Sequence, residues 1–253
     1  MNKEKIEIEY NEHFSYYVQL QKEVFDLLNE IVDDDEYKNI DVAEIKQRPK
    51  NEIKSIESIF KNIDRPDKYN SCSNLYDIKD IAGVRVICHC DDDLLAFAEI
   101  IENVLSEKRY LDVKREDKGG TEERGIKQKS RPSYRAIHIT CARLYIHNRI
   151  QIKVYCEIQL RTVMGDAWAV QDRKYIYGQI VSEGDRHILT DSVSEIMNGC
   201  EGLWSLVKKK YKDGSEIKTE EYKIIEKTIL AKARIIKSED AKIFDVDLKK
   251  DNL

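Results

Sequence analysis

The chain has 253 residues, of which 36% are charged and 41% are hydrophobic, so it can bury a core in one large domain or two small ones. Its 3 prolines and 10 glycines are too few for a collagen-like or low-complexity protein. No apolar run approaches the roughly 18 residues that a membrane helix needs, and the N-terminal segment lacks the apolar core of a signal peptide. We therefore expect a soluble cytoplasmic protein that does not engage a membrane.

Apolar residues at helical spacing predict a first helix over residues 5–32 and a second over 50–63, which Pro66 ends. A run rich in β-branched residues then predicts a strand over 81–90. The three aspartates at 91–93 are expected to cap a helix over 93–107. Residues 110–117 are predicted to form a further strand, and the charged residues 118–132 are predicted to form a loop.

Two long strands are predicted over 134–146 and 149–161, with a turn at His147 and Asn148. A helix over 163–177, a break at Gly184 and helices over 186–211 and 216–237 complete the pattern. Strands that alternate with helices in the middle of the chain, between helical ends, predict an α+β fold. Its centre would be a mixed β-sheet of about four or five strands flanked by helices, with N- and C-terminal helices outside it.

The net charge of −5 is distributed unevenly along the chain. Residues 1–45 contain 4 Lys and 13 Asp or Glu, whereas residues 203–237 contain 10 Lys or Arg and 5 Asp or Glu. Such asymmetry marks either a surface for nucleic acid or another partner at the basic end, or two solvated helical faces that complement each other. Charge alone favours the second explanation.

The six cysteines do not form a Cys-x-x-Cys pair, so a structural zinc site is not expected. Four of them fall in predicted strands, where reduced cysteine serves as a small hydrophobic residue. These are Cys88, Cys90, Cys141 and Cys156.

The strand over 149–161 carries apolar side chains on one face and polar ones on the other, among them Glu157, Gln159 and Arg161. A strictly polar face indicates either open solvent or a wet functional cleft, and the strand alone does not decide between them. On the neighbouring strand, Tyr134, His138 and Thr140 also share one face. A polar face that runs over two adjacent strands favours the floor of a cleft, although a histidine such as His138 is by itself more often structural.

Asp80 stands immediately before the strand over 81–90, where a carboxylate can bind magnesium, and Glu157 could share the ion. Arg85, on that strand, could neutralise phosphate. In isolation, a capping aspartate and a surface arginine explain the same residues. Residues 114–131 hold seven basic and four acidic side chains, and they lead into Tyr134. A cationic loop that ends in an exposed tyrosine suits a nucleotide, which is both phosphorylated and stackable, although a solvated charged loop would look the same.

Four segments in this order resemble the RelA/SpoT-type alarmone synthetase domain. They are residues 80–85 (Asp-Ile-Ala-Gly-Val-Arg), 134–138 (Tyr-Arg-Ala-Ile-His), 157–162 (Glu-Ile-Gln-Leu-Arg-Thr) and 168–169 (Trp-Ala). The block at 157–162 is the most specific of them. The resemblance covers about residues 50–180 and implies three regions: an N-terminal helical region over 1–47, a catalytic domain over 48–180 and a C-terminal helical extension over 181–253. The resemblance is to the small, synthetase-only members, so we expect neither the hydrolase half nor the regulatory tail of the long family members.

The resemblance implies a nucleotidyltransferase-like fold and an enzyme that moves the β,γ-pyrophosphate of ATP onto the 3′-hydroxyl of GDP or GTP. By this comparison Asp80 and Glu157 match the catalytic pair that binds Mg²⁺. Three residues match ATP-binding positions, namely Lys54, Ser58 and Arg85. Residues assigned to the acceptor are Lys118, Lys129, Arg131, Tyr134, His138, Gln159, Arg161 and Asp172. Tyr134 matches the tyrosine that stacks on the acceptor base.

This chain departs from the family pattern in four places. Ser133 stands where glycine usually precedes the stacking tyrosine, and Glu52 stands where an arginine is usual. Asp172 and Arg173 replace a later Glu-His pair, and the loop before Tyr134 is longer than usual. These departures concern nucleotide contacts rather than the acidic pair, so they leave the identity of the acceptor open.

Three functions remain compatible with the sequence. The first is a small alarmone synthetase that acts on GDP or GTP. The second is a toxic relative, paired with an antitoxin protein, that pyrophosphorylates the 3′ end of tRNA or makes adenosine alarmones. The third is a nucleotide-binding module without catalysis, which the acidic pair disfavours. An apolar stripe over residues 186–211 could form a subunit interface or pack on the acidic N-terminal helix of the same chain. The resemblance favours the interface, since the terminal helices of small alarmone synthetases often build a homo-oligomer, and we therefore expect one.

Overall fold

The computed structural model describes residues 2–47, 53–64, 69, 72–118, 136–175 and 183–212, together with 220, 223 and 227. Five α-helices occur among these residues: α1 (Lys3–Asp33), α2 (Ile56–Ile63), α3 (Asp91–Glu107), α4 (Val163–Tyr175) and α5 (Glu183–Lys212). The strands are β1 (Val42–Gln47), β2 (Ala82–Cys88), β3 (Leu111–Lys118), β4 (Ala136–His147) and β5 (Ile150–Thr162). None of the helices in the described part of the chain is long and apolar enough to cross a membrane.

The five strands form one sheet in the order β1-β2-β5-β4-β3. Strands β2 and β5 pair in parallel, and the other three pairs are antiparallel. The predicted α+β fold with a mixed central sheet is therefore confirmed. The parallel pair lies in the middle of the sheet, and it places the start of β2 beside the centre of β5.

One face of the sheet is apolar and carries the core. Along β5 the buried residues alternate with half-buried polar ones, as the sequence predicts. The long helix α1 and the helix α3 both contribute to the same buried cluster as this face. Helix α1 begins at the capping residue Asn2, whose side chain accepts hydrogen bonds from the next turn, and it buries one stripe of its surface. Because α1 and α3 belong to the same cluster as this apolar face, the polar side chains of β5 point to the opposite side of the sheet.

Strands β4 and β5 are joined by a tight hairpin, since His147 pairs with Ile150 and only two residues lie between them. Both of these residues, Asn148 and Arg149, have positive φ angles of 48° and 68°. Positive φ at both positions matches the type I′ turn that right-handed strand twist favours. The predicted turn is confirmed one residue further along the chain.

The chain divides into two compact units, one of residues Met1–Lys118 and Ala136–Thr162, and one of Gly119–Arg135 and Val163–Leu253. The first unit holds the whole sheet with α1, α2 and α3, so α1 and β1 belong to it. The division into regions over 1–47, 48–180 and 181–253 stays a prediction. In the second unit, α4 and α5 are described, and several large hydrophobic side chains of α5 are exposed, namely Val193, Trp204, Val207 and Tyr211.

Four local predictions are wrong. Helix α2 begins at Ile56 rather than at residue 50, because Ser55 caps it and its side chain accepts a hydrogen bond from the Ser58 backbone. The aspartates at 91–93 lie in the first turn of α3, and Cys90, predicted in a strand, occupies the capping position instead. Gly184, predicted as a break before a helix over 186–211, lies in the first turn of α5, which begins at Glu183.

The sequence also missed strand β1, an edge strand that pairs antiparallel with β2. The predicted loop over 118–132 and most of the predicted helix over 216–237 lie outside the described residues.

Candidate active site

The polar face of the sheet gathers side chains from three neighbouring strands. In the parallel pair, Gly83 lies beside Glu157 and Arg85 beside Gln159. In the antiparallel pair, Thr140 lies opposite Glu157 and His138 opposite Gln159. Residues that pair across strands point to the same face. The predicted polar surface over two adjacent strands is therefore present, and β2 extends it to a third.

Asp80 lies just before β2, and its carboxylate forms an ion pair with the ammonium group of Lys54. The Tyr69 hydroxyl lies between the same two groups: it accepts a hydrogen bond from Lys54 Nζ at 2.7 Å and donates one to Asp80 Oδ1 at 2.8 Å. The Lys54 side chain is 8% exposed and that of Asp80 is 21% exposed. Sequence comparison placed Lys54 and Asp80 in one site, and the structure brings them into direct contact.

The position of Lys54 is fixed by the backbone on both sides. Its amide donates a hydrogen bond to the Ile81 carbonyl at 2.8 Å, and its own carbonyl accepts one from the Tyr10 hydroxyl of α1 at 3.0 Å. The first bond ties the segment before α2 to the start of β2, where Asp80 lies. The long lysine side chain therefore emerges at a defined point beside the carboxylate.

Glu157 is held by two neighbours on the polar face. His138 Nδ1 lies 2.9 Å from Glu157 Oε1, and Gln159 Nε2 donates to Oε2 at 2.6 Å. An ionised carboxylate can only accept hydrogen bonds, so the His138 nitrogen carries the proton in this contact. The Glu157 side chain is 16% exposed. Both of its oxygens are therefore held by hydrogen bonds from neighbouring side chains.

Opposing effects act on the pKa of Glu157. Burial raises this pKa, and so does the negative charge of nearby Asp80, but the hydrogen bonds from His138 and Gln159 and the charge of His138 lower it by more. The net pKa lies below the ordinary value of 4.5. Glu157 is therefore a carboxylate, not a carboxylic acid, at neutral pH. The influence of Asp80 on Glu157 also indicates that the two acidic groups are near neighbours.

The linkage between Glu157 and His138 predicts a pH effect. Since folding lowers the pKa of Glu157, its ionised form stabilises the protein above pH 4.5, and this contribution is lost as the pH falls through the lower folded pKa.

Replacing His138 by Leu removes its hydrogen bond to Glu157 and leaves burial as the dominant effect, so the pKa of Glu157 is expected to rise. A carboxyl carbon NMR titration measures this shift directly. His138→Gln is the matched control, because its amide can still donate a hydrogen bond and should restore part of the lowering. An unchanged Glu157 pKa in His138→Leu would contradict this account.

The remaining predicted site residues fall into three groups. Arg85 lies half-buried on the same face, Arg161 is buried near the end of β5, and Ser58 lies half-buried in the first turn of α2. Lys118 ends β3, opposite Ala136 of β4, and Asp172 lies half-buried in α4. Three more predicted residues, Lys129, Arg131 and Tyr134, lie outside the part of the chain that the structure describes.

Tyr69 is a residue of this site that sequence reasoning missed. It is 9% exposed, and burial together with the Asp80 carboxylate raises its pKa, so the phenol stays neutral. No periodic pattern marks Tyr69, since it lies between α2 and β2. The one available signal was a tyrosine that follows four charged residues in a short segment between a predicted helix and a predicted strand.

A known protein family matches the segment of the chain that carries these residues. A family described as "Region found in RelA / SpoT proteins" matches residues 51–180, which is more than half of the chain. The chain belongs to the RelA/SpoT family. The matched segment includes β2, β4, β5 and the two acidic residues Asp80 and Glu157. A search of curated proteins gives no match to the chain.

Solved structures with the same fold include two small alarmone synthetases and a GTP pyrophosphokinase family protein. Small alarmone synthetase 1 from Bacillus subtilis, solved with its product pppGpp, is 21% identical with a TM-score of 0.59, covering 78% of this chain and 94% of its own. Small alarmone synthetase 2 from the same organism is 25% identical with a TM-score of 0.54, over 79% and 100% of the two chains. A GTP pyrophosphokinase family protein from Streptococcus pneumoniae is 19% identical with a TM-score of 0.56, over 82% and 98%. This member of the RelA/SpoT family thus has the fold of the small synthetases.

Proposed function

We propose that this protein is a small alarmone synthetase, which transfers the β,γ-pyrophosphate of ATP to the 3′-hydroxyl of GDP or GTP. The observation that carries the proposal is the pair of oriented carboxylates, Asp80 and Glu157, on one polar face of a RelA/SpoT-type sheet. Each has its own set of partners: Lys54 and Tyr69 hold the first, and His138 and Gln159 hold the second. The choice of substrates is supported by a solved protein of the same fold, since small alarmone synthetase 1 from Bacillus subtilis was solved with pppGpp and with AMPCPP.

The RelA/SpoT family implies Mg²⁺, and the donor set fits this ion. Magnesium prefers oxygen ligands and usually takes one or two carboxylates, with phosphates and water completing its shell. Asp80 and Glu157 would hold it, and the low pKa of Glu157 keeps that ligand ionised at neutral pH. When bound, the ion supplies positive charge to the phosphate chain of ATP.

In the proposed pyrophosphate transfer, the side chains of the site have three roles. Lys54 and Arg85 are cations that can neutralise charge on the phosphates, and positioning with charge neutralisation is most of what phosphoryl-type transfer needs. A Glu157 oxygen accepts the proton of the 3′-hydroxyl as the new bond from oxygen to the β-phosphorus forms. The bond from the β-phosphorus to the α,β-bridging oxygen breaks at the same time, and AMP leaves. His138 and Gln159 hold the Glu157 carboxylate in place during this step.

The deciding experiment supplies γ-labelled ATP with GDP, GTP, AMP, ADP or deacylated tRNA, with ATP alone included, and follows the label. We expect it on GDP or GTP with Mg²⁺ present, and on nothing in a Glu157→Gln control. Label on tRNA or on an adenosine nucleotide would instead establish the toxic relative. ATP binding without transfer to any acceptor would establish a binding module.

A further prediction concerns Tyr134, the expected platform for the acceptor base. Stacking on a base is worth on the order of 1–3 kcal/mol, which corresponds to about a ten- to a hundredfold change in affinity. Tyr134→Ala is therefore expected to raise the acceptor KM by that factor while ATP affinity stays near normal. Tyr134→Phe keeps the ring and is the matched control. Equal losses for ATP and acceptor would show that Tyr134 does not serve the acceptor.

A further inference from the structure

A cluster of possible metal ligands lies away from the candidate active site, where α1 meets the β4–β5 hairpin. It consists of Glu12 and His13 of α1 and His147 at the end of β4. One nitrogen or carboxylate oxygen from each residue lies within 4.8 Å of the other two. The two imidazole rings are in contact at nearly right angles, with centroids 4.7 Å apart. The cluster thus joins residues that are far apart in the sequence.

His13 has a buried nitrogen that no protein group satisfies. Its ring is 4% exposed, and within the described part of the chain its Nε2 has no hydrogen-bond partner. The other nitrogen, Nδ1, lies 2.9 Å from the Glu9 carbonyl oxygen, which can only accept, so the proton of the neutral ring is on Nδ1. Nε2 therefore presents a lone pair inside the protein, and a buried polar atom of this kind costs free energy unless something binds it.

The hydrogen bonds around both histidines resemble those that orient metal ligands. His13 Nδ1 also lies 3.0 Å from the Tyr76 hydroxyl, and His147 Nδ1 lies 3.2 Å from the Tyr16 hydroxyl. Histidines that bind metals commonly donate their second ring nitrogen to a carbonyl or another oxygen, which fixes the tautomer and the ring plane. In both rings a protein oxygen contacts Nδ1, so Nε2 is the nitrogen that is left for a ligand.

The cluster is separate from the acidic pair of the proposed reaction. Side chains alternate along β4, so His147 lies on the face shared by Ile139 and Cys141, opposite the face of His138. His147 is nine positions beyond His138 on β4, which corresponds to roughly 30 Å along an extended strand. An ion bound at His147 would therefore not touch the substrates.

We propose that Glu12, His13 and His147 form a binding site for a divalent transition-metal ion, of which zinc is the best fit. Two imidazoles and one carboxylate are a zinc ligand set, and they leave a fourth position open for water. Tetrahedral zinc places its ligand atoms about 3.3 Å apart, so the cluster must contract slightly. The exposed Glu12 side chain can make that adjustment. The bound ion ties α1 to the hairpin.

Titration calorimetry of the full chain with zinc chloride tests the proposal. One zinc ion per chain is expected, and Glu12→Gln and His147→Gln are each expected to weaken its binding at least tenfold. These two residues are preferred to the buried His13 because substitutions outside the core are better tolerated by the fold. His89→Gln, which changes an exposed histidine elsewhere, is the matched control and should bind zinc normally.

Two further measurements keep the test independent of the proposed reaction. Cobalt in place of zinc should give the visible absorption of a tetrahedral site in the wild type and in Glu157→Gln, but not in His147→Gln. Zinc should raise the Tm of the wild type and not that of His147→Gln. A wild type that binds no zinc, or zinc binding that is lost in Glu157→Gln and kept in His147→Gln, would overturn the proposal.

Discussion

Replacing Glu157 by Gln is expected to lower the rate of pyrophosphate transfer by about 10²- to 10⁴-fold, the range typical of a lost general base. Gln has nearly the same shape as Glu, but it carries no charge and cannot accept the hydroxyl proton. Asp80→Asn is expected to have a similar effect, because it removes the other carboxylate of the pair. The measurement is kcat with ATP, acceptor and Mg²⁺, together with circular dichroism to show that the fold is intact.

The matched control for these variants is Glu102→Gln. Glu102 is also a carboxylate in an ion pair, in this case with Arg115 at 3.5 Å, but it lies on α3 and not on the polar face of the sheet. Its loss should leave kcat within a few-fold of the wild type. Near-normal turnover by Glu157→Gln or Asp80→Asn would remove the acidic pair from the mechanism.

Replacing Lys54 by Met is expected to reduce both activity and stability. The variant keeps the length of the side chain but leaves the Asp80 carboxylate without its ion-pair partner in a site where Lys54 is only 8% exposed. Losing the partner of a largely buried polar group lowers the free energy of unfolding by about 1–3 kcal/mol. Because Asp80 is partly exposed, the loss is smaller than for a fully buried ion pair. Activity should fall by two orders of magnitude or more, because the variant lacks the cation that is proposed to neutralise charge on the phosphates.

A double variant separates the loss of stability from the loss of activity. In Lys54→Met with Asp80→Asn, no carboxylate is left unpaired, so the free energy of unfolding should recover while activity stays lost. Lys46→Met is the control, because its ion pair with Glu44 is 43% and 53% exposed and surface pairs contribute little. Chemical denaturation and kcat measurements on the wild type, the two single variants, the double variant and the Lys46→Met control decide the outcome. Additive stability losses in the double variant would show that Lys54 and Asp80 act independently.

Strong periodicity explains which parts of the fold could be predicted. The long amphipathic helix α1 and the alternating strand β5 repeat their patterns over many residues, so neighbouring positions reinforce one another. Strand β1 is short, lies at an edge and is only half-buried, so its sequence lacks a clear alternation. The predicted start of α2 lies too early in the chain, because apolar spacing alone does not reveal that Ser55 is the capping residue.

The candidate site was predictable where it follows the strands and not where it depends on loops. Glu157, Gln159 and His138 could be placed on one face because side chains alternate along paired strands. The Lys54–Asp80 contact spans 26 residues, and no local pattern encodes it. Tyr69, which binds both, could not be found because its position depends on how the chain returns from α2 to β2. Family resemblance identified Lys54 and Asp80 as site residues, but it did not show that they touch.

The hydrogen bonds between α1 and the site set a limit on how the enzyme can be shortened. The family match begins at residue 51, yet the Tyr10 hydroxyl binds the Lys54 carbonyl and the Gln21 side chain accepts from the Gly83 amide. Helix α1 also covers the apolar face of the sheet, and β1 completes its edge. A fragment restricted to residues 51–180 would expose that face and release Lys54 from one of its two backbone anchors. A shortened enzyme that keeps both backbone anchors of Lys54 therefore has to include α1, which lies upstream of the segment by which the family is recognised.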